Sequence, residues 1–517
     1  MTRSLTDIVK AYDVRGIVPD QFDTRVARAL GAAFAEVVVV PEHAALADSA
    51  TTPPGCVIGR DMRDSGPDLV AAFADGVRSR GVDVVLIGLA STDGLYYASG
   101  SLDLPGAMFT ASHNPAAYNG IKLCRAGARP VGQDSGLPTV RERAERLLQD
   151  DTSPGAGQLA AVSASDSDSD SDSDSAPAPA STPATGAVEH GALTERDVLA
   201  DYAAFLRALV DLAGIRPLIV VVDAGNGMGG HTVPAVLETG AGLPALPLTV
   251  IPLYFELDGT FPNHEANPLD PTNLVDLQAA VREHGADLGL AFDGDADRCF
   301  VVDECGEPVS PSAITGLIAR REVARAVAEG ADAGDVAIVH NVITSAQVPE
   351  VIAETGARAV RTRVGHSFIK AEMARNDAVF GGEHSAHYYF RDFWFADTGM
   401  LAAMHVLAAL GEQPAALSEV MADLSRYAAS GEINSTVADA VARTEQVRVW
   451  AVDQGVEVDE LDGLTLVHAG GTGDPMWWLN LRASNTEPLL RLNVEAADAE
   501  TMALVRDEVL ALVRATG

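Results

Sequence analysis

Five short segments of this chain combine residue types that can hold or move a charged group. Asp293-Gly294-Asp295-Ala296-Asp297-Arg298 sets three carboxylates at alternate positions. Their mutual repulsion is costly unless a cation sits among them. Hard oxygen ligands suit Mg²⁺, which binds few carboxylates and completes its shell with water and phosphate. Arg298 could contact a phosphate bidentately, and the long loop and terminal Glu of an EF-hand are absent. Thr110-Ala111-Ser112-His113-Asn114-Pro115 offers a hydroxyl nucleophile with a histidine beside it. It lacks the G-x-S-x-G elbow of α/β-hydrolases, and its residues also suit a plain turn. Gly381-Gly382-Glu383-His384-Ser385-Ala386-His387 joins glycines that admit a ligand closely to groups that hydrogen-bond hydroxyls. Arg482-Ala483-Ser484-Asn485-Thr486-Glu487-Pro488, with Arg491 beyond, has the composition of a phosphate cradle. Finally, Gly225-Asn226-Gly227-Met228-Gly229-Gly230 satisfies the dinucleotide pattern G-x-G-x-x-G, with Glu256 placed where a ribose-binding acid could lie. A tight strand-to-helix turn explains that match equally.

The surrounding sequence reads as alternating strands and helices. CVIGRD, VDVVLIGL, PLIVVVD, ADLGLAF and VAIVHNV are short, apolar, β-branched runs bounded by turn residues. PDLVAAFADGVRSRG, PSAITGLIARREVARAVAEG and ADTGMLAAMHVLAALG carry helical patterns. Strands buried on both faces with helical crossovers predict mixed or parallel α/β layers. Three such units are candidates for copies of one architecture. After about residue 425 the pattern changes to two or three strands, including WWLNLRAS and LLRLNVEA, and a closing helix, TMALVRDEVLALVRA. A smaller α+β domain is expected there. Residues 151–190 stand apart: alternating Ser and Asp, then Ala and Pro, cannot bury apolar surface and predict a disordered insertion. A linker is the simplest use of it; phosphorylation and calcium binding are the alternatives.

The 517 residues provide for about three or four domains. With 47% hydrophobic and 21% charged residues, coiled-coil, collagen-like and mostly disordered chains are excluded. The formal net charge of −37 argues against nucleic acid and anionic membranes as partners. Any phosphate chemistry therefore needs a locally basic, metal-assisted site. Lysine occurs only as Lys10, Lys122 and Lys370 among the 36 basic residues. Because lysine can lose its proton and arginine cannot, a retained lysine invites a role. Cys56, Cys124, Cys299 and Cys305 form no CxxC pair, so neither a disulfide framework nor a zinc signature is expected. MTRSLTDIVKAYDVRG lacks the apolar stretch of a secretory signal, and no run is apolar enough to cross a membrane. A soluble, cytoplasmic protein is expected.

Taken together and in order, AYDVRG, TASHNP, NGIK, DAGNGMGG, DGTFPNHEANP, DGDADR, RTRVGHSFIK, GGEHSAH and RASNTEP resemble the α-D-phosphohexomutase superfamily, most closely its phosphomannomutase/phosphoglucomutase branch. The likeness spans residues 11–491 apart from the Ser-Asp tract and absorbs the glycine motif, which demotes the dinucleotide alternative.

The resemblance implies three similar mixed α/β domains and a smaller C-terminal α+β domain around a central cleft. The corresponding divisions are 1–150, the insertion 151–192, then 193–305, 306–424 and 425–517. Ser112 would be the phosphoserine, and with it Asp293, Asp295 and Asp297 would bind Mg²⁺. Lys122, His113, Arg15 and Arg298 would line the reacting centre, with Lys122 taking the attacking hydroxyl's proton if nearby cations depress its pKa. Tyr12, Arg363, His366, Glu383, Ser385 and His387 would contact the sugar phosphate, with Glu383 and Ser385 reading its hydroxyls. Arg482, Ser484, Asn485, Thr486 and Arg491 would hold the distal phosphate. The implied reaction interconverts hexose 6-phosphate and hexose 1-phosphate through a hexose 1,6-bisphosphate. Sugar phosphates would be the only partners of a monomer or small homo-oligomer.

The pattern G-E-x-S-A/G-H, with His384 at its variable position, favours mannose. Phosphoglucomutase and phosphoglucosamine mutase are the alternatives within the superfamily. Outside it stand a phosphatase of the haloacid-dehalogenase type using Asp293, and a non-catalytic sugar-phosphate binder. Arg363 stands where this branch often has lysine, which leaves open any role that requires losing a proton.

Overall fold

The computed structural model describes residues 4–46, 51–150, 190–471, 474–483 and 489–515. The Ser-Asp tract, with most of the expected insertion, and Ser484, Asn485 and Thr486 lie outside the described residues.

Three sheets repeat one strand order. In the first, Asp83–Leu89, Gly55–Arg60 and Gly106–Phe109 are parallel neighbours, and Tyr118–Arg125 returns antiparallel beside the last. The second arranges Leu248–Leu253, Leu218–Asp223 and Leu288–Phe292 in the same way, with Cys299–Asp303 returning. The third does so with Arg358–Thr362, Ala337–Asn341 and Phe380–Gly382, and Tyr388–Phe390 returning. Leu288–Phe292 and Ala337–Asn341 are buried throughout, as strands covered on both faces must be, which is why they read as unbroken apolar runs.

This repetition decides where the chemistry sits. The link from the third parallel strand to its antiparallel return comprises residues 110–117 in the first sheet, 293–298 in the second and 383–387 in the third. These are the TASHNP, DGDADR and EHSAH segments. One topological position, used three times, presents Ser112, the acidic cluster and the loop of Glu383, Ser385 and His387.

The helices between strands start where side chains cap them. Ser91 accepts from Gly94 N–H ahead of Thr92–Leu102, and Thr398 accepts from Leu401 N–H ahead of Gly399–Gly411, each contributing about 1 kcal/mol. Among the described residues no helix is long and apolar enough to cross a membrane.

The C-terminal region has its own apolar core, drawn from residues 433–513. Among the described residues its sheet has six strands rather than two or three. Ala428–Ala429 is only two residues long, and Ile433–Thr436 and Glu457–Asp459 are short and partly polar, so none carries an apolar run to mark it. Leu193–Glu195 also departs from the expected divisions. Sequence places it with the second unit, yet it pairs parallel with Asp83–Leu89 at the edge of the first sheet.

Candidate active site

Ser112 sits at the floor of a cavity of about 180 Å³, lined also by Tyr12, Arg15, His113, Lys122 and Asp297. Its hydroxyl donates to Asp293 Oδ2 at 2.8 Å and lies 3.1 Å from His113 Nδ1. Arg298 donates to Asp293 Oδ2 from Nε at 3.0 Å and from Nη2 at 2.8 Å. Ser112 has φ 49°, and the matching links carry Ala296 at 59° and Ala386 at 65°. This left-handed backbone costs a non-glycine residue about 1–2 kcal/mol, so each turn must be held from outside.

Arg63 holds the serine turn. It is fully buried and donates to the carbonyls of Ser112 and Asn114 from Nη2 and to those of Pro115 and Tyr118 from Nη1. Asp61 accepts from its Nε at 3.2 Å. Sequence reasoning passed over Arg63; the signal was the Asp-x-Arg directly after an apolar strand. The acidic turn is fixed from two sides. Thr92 donates to the Asp295 carbonyl through N–H and to Oδ2 through Oγ1 at 2.6 Å. Met228 N–H donates to the Gly294 carbonyl at 2.9 Å. A Cβ on Gly227 would lie 2.7 Å from that same carbonyl oxygen, and one on Gly294 would lie 2.5 Å from the Ser112 carbonyl oxygen. The glycine motif thus seats the acidic turn against its neighbours, and tight packing rather than a pyrophosphate explains its spacing.

Asp293, Asp295 and Asp297 are buried, with ligand atoms within 4.8 Å of one another. Burial pushes the Asp293 carboxyl up to about 7 against the opposing pull of Arg298. Burial would also raise Asp295, but the Lys122 ammonium, with the Thr92 hydroxyl and Arg298, outweighs it and lowers that group. Lys122 Nζ donates to Asp295 Oδ2 at 2.7 Å and also to Asp297 Oδ2. Burial alone would lower its pKa; the two carboxylates raise it instead. The expectation of a lysine depressed by cations is therefore corrected: its nearest neighbours here are the anions Asp295 and Asp297, which favour its charged form. Burial, then Arg298 and Arg15, hold His113 neutral.

The other expected residues divide between this cavity and a second. Arg15 donates to Asp13 and to Asn114 Oδ1. His366 and His387 line the first cavity. Ser385 Oγ is 3.0 Å from His387 Nδ1. Glu383 is buried and already accepts from Asn341, Tyr389 and Gly365 N–H. His384 Nδ1 lies 3.0 Å from Ser312 Oγ, and His384 does not line the cavity above Ser112. A larger cavity, about 730 Å³, is lined by Lys10, Arg141, Arg363 and Arg482 and meets the first at Tyr12. Arg363 stacks over the Phe368 ring at 4.9 Å.

One further residue escaped the sequence. Asp93 is fully buried and accepts from Ser91, Tyr202 and Thr398, tying all three repeated domains together beside the acidic turn.

A serine hydroxyl beside a buried acidic triad, with a cavity of basic side chains adjoining it at Tyr12, is an arrangement suited to phosphate groups, carried on a four-domain α/β scaffold. The comparisons agree. The chain matches phosphoglucomutase/phosphomannomutase α/β/α domains I, II and III at residues 6–149, 200–306 and 310–427, and the C-terminal domain at 432–512. It is 34% identical over 509 residues to a phosphomannomutase of Escherichia coli, covering 98% of each chain. It is 35% identical to phosphohexose mutases of Xanthomonas campestris over 508 residues, again 98% of each. A crystal structure of a phosphoglucomutase/phosphomannomutase family protein from Burkholderia thailandensis superposes with a TM-score of 0.77 at 28% identity, covering 98% of both chains. The chain belongs to the phosphoglucomutase/phosphomannomutase family.

Proposed function

We propose that this chain interconverts hexose 6-phosphate and hexose 1-phosphate, with mannose as the preferred sugar and glucose as a second substrate. The observation that carries the proposal is the Ser112 hydroxyl, 2.8 Å from Asp293 within the buried triad and connected through one cleft to a basic cavity. Phosphorylated Ser112 loses its phosphorus–oxygen bond as one forms to O1 of hexose 6-phosphate, and the proton of that hydroxyl ends on Ser112 Oγ. The resulting 1,6-bisphosphate turns over and returns its 6-phosphate to Ser112. Phosphoryl transfer depends mainly on position and charge. Arg298 and the protonated Lys122 place positive charge beside the moving group, while Arg363, Arg482 and Arg491 hold the phosphate that does not react.

The triad fits Mg²⁺. Its donors are all carboxylate oxygens, and Asp295 Oδ1 and Asp297 Oδ1 are buried without a hydrogen-bond partner. The three aspartates and Ser112 would hold it, where it would neutralise phosphoserine charge. Sugar phosphates are its partners, and the chain works in the cytoplasm as a monomer or small homo-oligomer, without nucleic acid or membrane.

A coupled assay on mannose, glucose and glucosamine 1-phosphates, with a trace of hexose 1,6-bisphosphate, tests this. Turnover should be fastest with mannose and vanish in Ser112→Ala. Undiminished turnover in that variant would overturn the proposal, and release of free sugar would favour the phosphatase alternative.

A further inference from the structure

The pair of arginines assigned to the distal phosphate already holds an anion. Arg482 and Arg491 are direct partners in the antiparallel pairing of Trp477–Ala483 with Leu489–Ala496. Like charges directly opposite one another destabilise a sheet, so this placement needs a counter-ion. Glu432 supplies it from the residue before Ile433–Thr436, whose Asn434 pairs with Arg491. Its Oε2 accepts from Arg482 Nη2 at 3.0 Å and its Oε1 from Arg491 Nη1 at 3.1 Å. One carboxylate between two guanidiniums leaves a net positive charge. Among the described residues, the buried Nε donors of both arginines have no hydrogen-bond partner, so Glu432 does not saturate the pair. The Glu432 side chain remains 27% exposed, so water can replace its contacts as it moves.

We propose that Glu432 is an exchangeable counter-anion of this clamp. It holds Arg482 and Arg491 together when no phosphate is bound and competes with the phosphate when one is. The proposal rests on the reading of this end of the cleft as the distal-phosphate site. Its value lies in release. In each turnover the bisphosphate must leave the arginines, reverse, and be gripped by its other phosphate. A built-in competing carboxylate lowers affinity and speeds that exchange. Glu432 is thus a positioning residue, acting on substrate through the arginines.

The test is titration calorimetry of mannose 6-phosphate into the full chain, paired with steady-state kinetics, for the parent, Glu432→Gln and Glu432→Asp. Glu432→Gln removes the charge and keeps an acceptor. It should bind roughly three- to tenfold tighter, the scale of one or two half-exposed ion pairs. KM and kcat should fall together, because release slows. Glu432→Asp, shorter by one methylene, should shift the same way by less, and serves if the glutamine variant fails to fold. A supporting carboxylate with no part in exchange would instead raise Kd and KM on removal. Weaker or unchanged binding in a folded variant overturns the proposal while leaving the proposed activity intact. Absence of binding in the parent would instead remove the phosphate-site reading on which it rests.

Discussion

At the Ser112 end of the cleft the three aspartates and Arg298 are buried among one another, with Asp293 paired to Arg298 and Asp295 to Lys122. At the Arg482 end, guanidiniums stand partly exposed around open space. Asp293, Asp295 and Arg298 are at most 2% exposed, whereas the side chains of Arg482 and Arg491 are 14% and 29% exposed and share the Glu432 carboxylate. Under the proposed function both ends receive a phosphate of the same substrate. The difference shows how one cleft separates chemistry from grip. The reacting end needs charges fixed before substrate arrives, since preorganised dipoles in a dry site stabilise charge most. The distal end sees each phosphate only to hold it and then let it go, so strong burial there would work against turnover. Position in the fold follows function. The reacting turns sit on strands packed between helices, and the distal arginines belong to a domain with a separate core.

If this contrast is right, damage to the two ends should have different signatures. The largest effect is expected from Arg63→Met. Four carbonyl acceptors around the serine turn would lose their partner and Asp61 would be left as a buried unpaired charge, a loss of roughly 3–5 kcal/mol. Thermal melts should show destabilisation, and kcat should collapse in whatever protein folds. A melt like the parent's would mean that the serine turn holds itself. Arg482→Met comes next. It should raise KM for hexose phosphate roughly 10- to 100-fold, as expected for one charge-assisted contact, with the fold unchanged. A fall in kcat at constant KM would contradict a holding role.

The smallest effect concerns Asp93. Burial raises its pKa to about 6 from 3.8, although Ser91, Thr398 and Tyr202 donate to it. Below the lower value both folded and unfolded chains hold the proton. Between the two values only the folded chain does, so rising pH removes stability. Above about 6 the penalty is complete. Asp93→Asn cannot ionise. It should therefore gain on the parent between pH 4.5 and 7.5, by up to about 3 kcal/mol less the cost of one mismatched donor. Parallel stability curves for the two proteins would show that Asp93 stays unshifted.

Much of the scaffold was legible because its central strands are covered on both faces. ADLGLAF and VAIVHNV announce themselves as apolar runs, and the loops that follow carry the reactive residues. The edge strands were not legible. Leu193–Glu195 is exposed along its whole length, so nothing apolar marks it, and its pairing with Asp83–Leu89 spans a long separation that no local pattern encodes. Within the site, DGDADR declared itself by repulsion between near neighbours. Arg63 and Asp93 did not, because their partners come from other elements or domains. Lys122 is instructive in another way. Its rarity drew attention correctly, but its pKa depends on which charges the fold brings near, and those are Asp295 and Asp297.

The central claim is that the phosphoryl group travels on Ser112, with the acidic turn beside it remaining unmodified. The direct measurement is to load the enzyme from radiolabelled hexose 1,6-bisphosphate, treat it with hydroxylamine, and map the label. The account predicts a label on Ser112 that survives hydroxylamine, is absent in Ser112→Ala, and passes to added hexose phosphate. A hydroxylamine-labile label on Asp293 would contradict it.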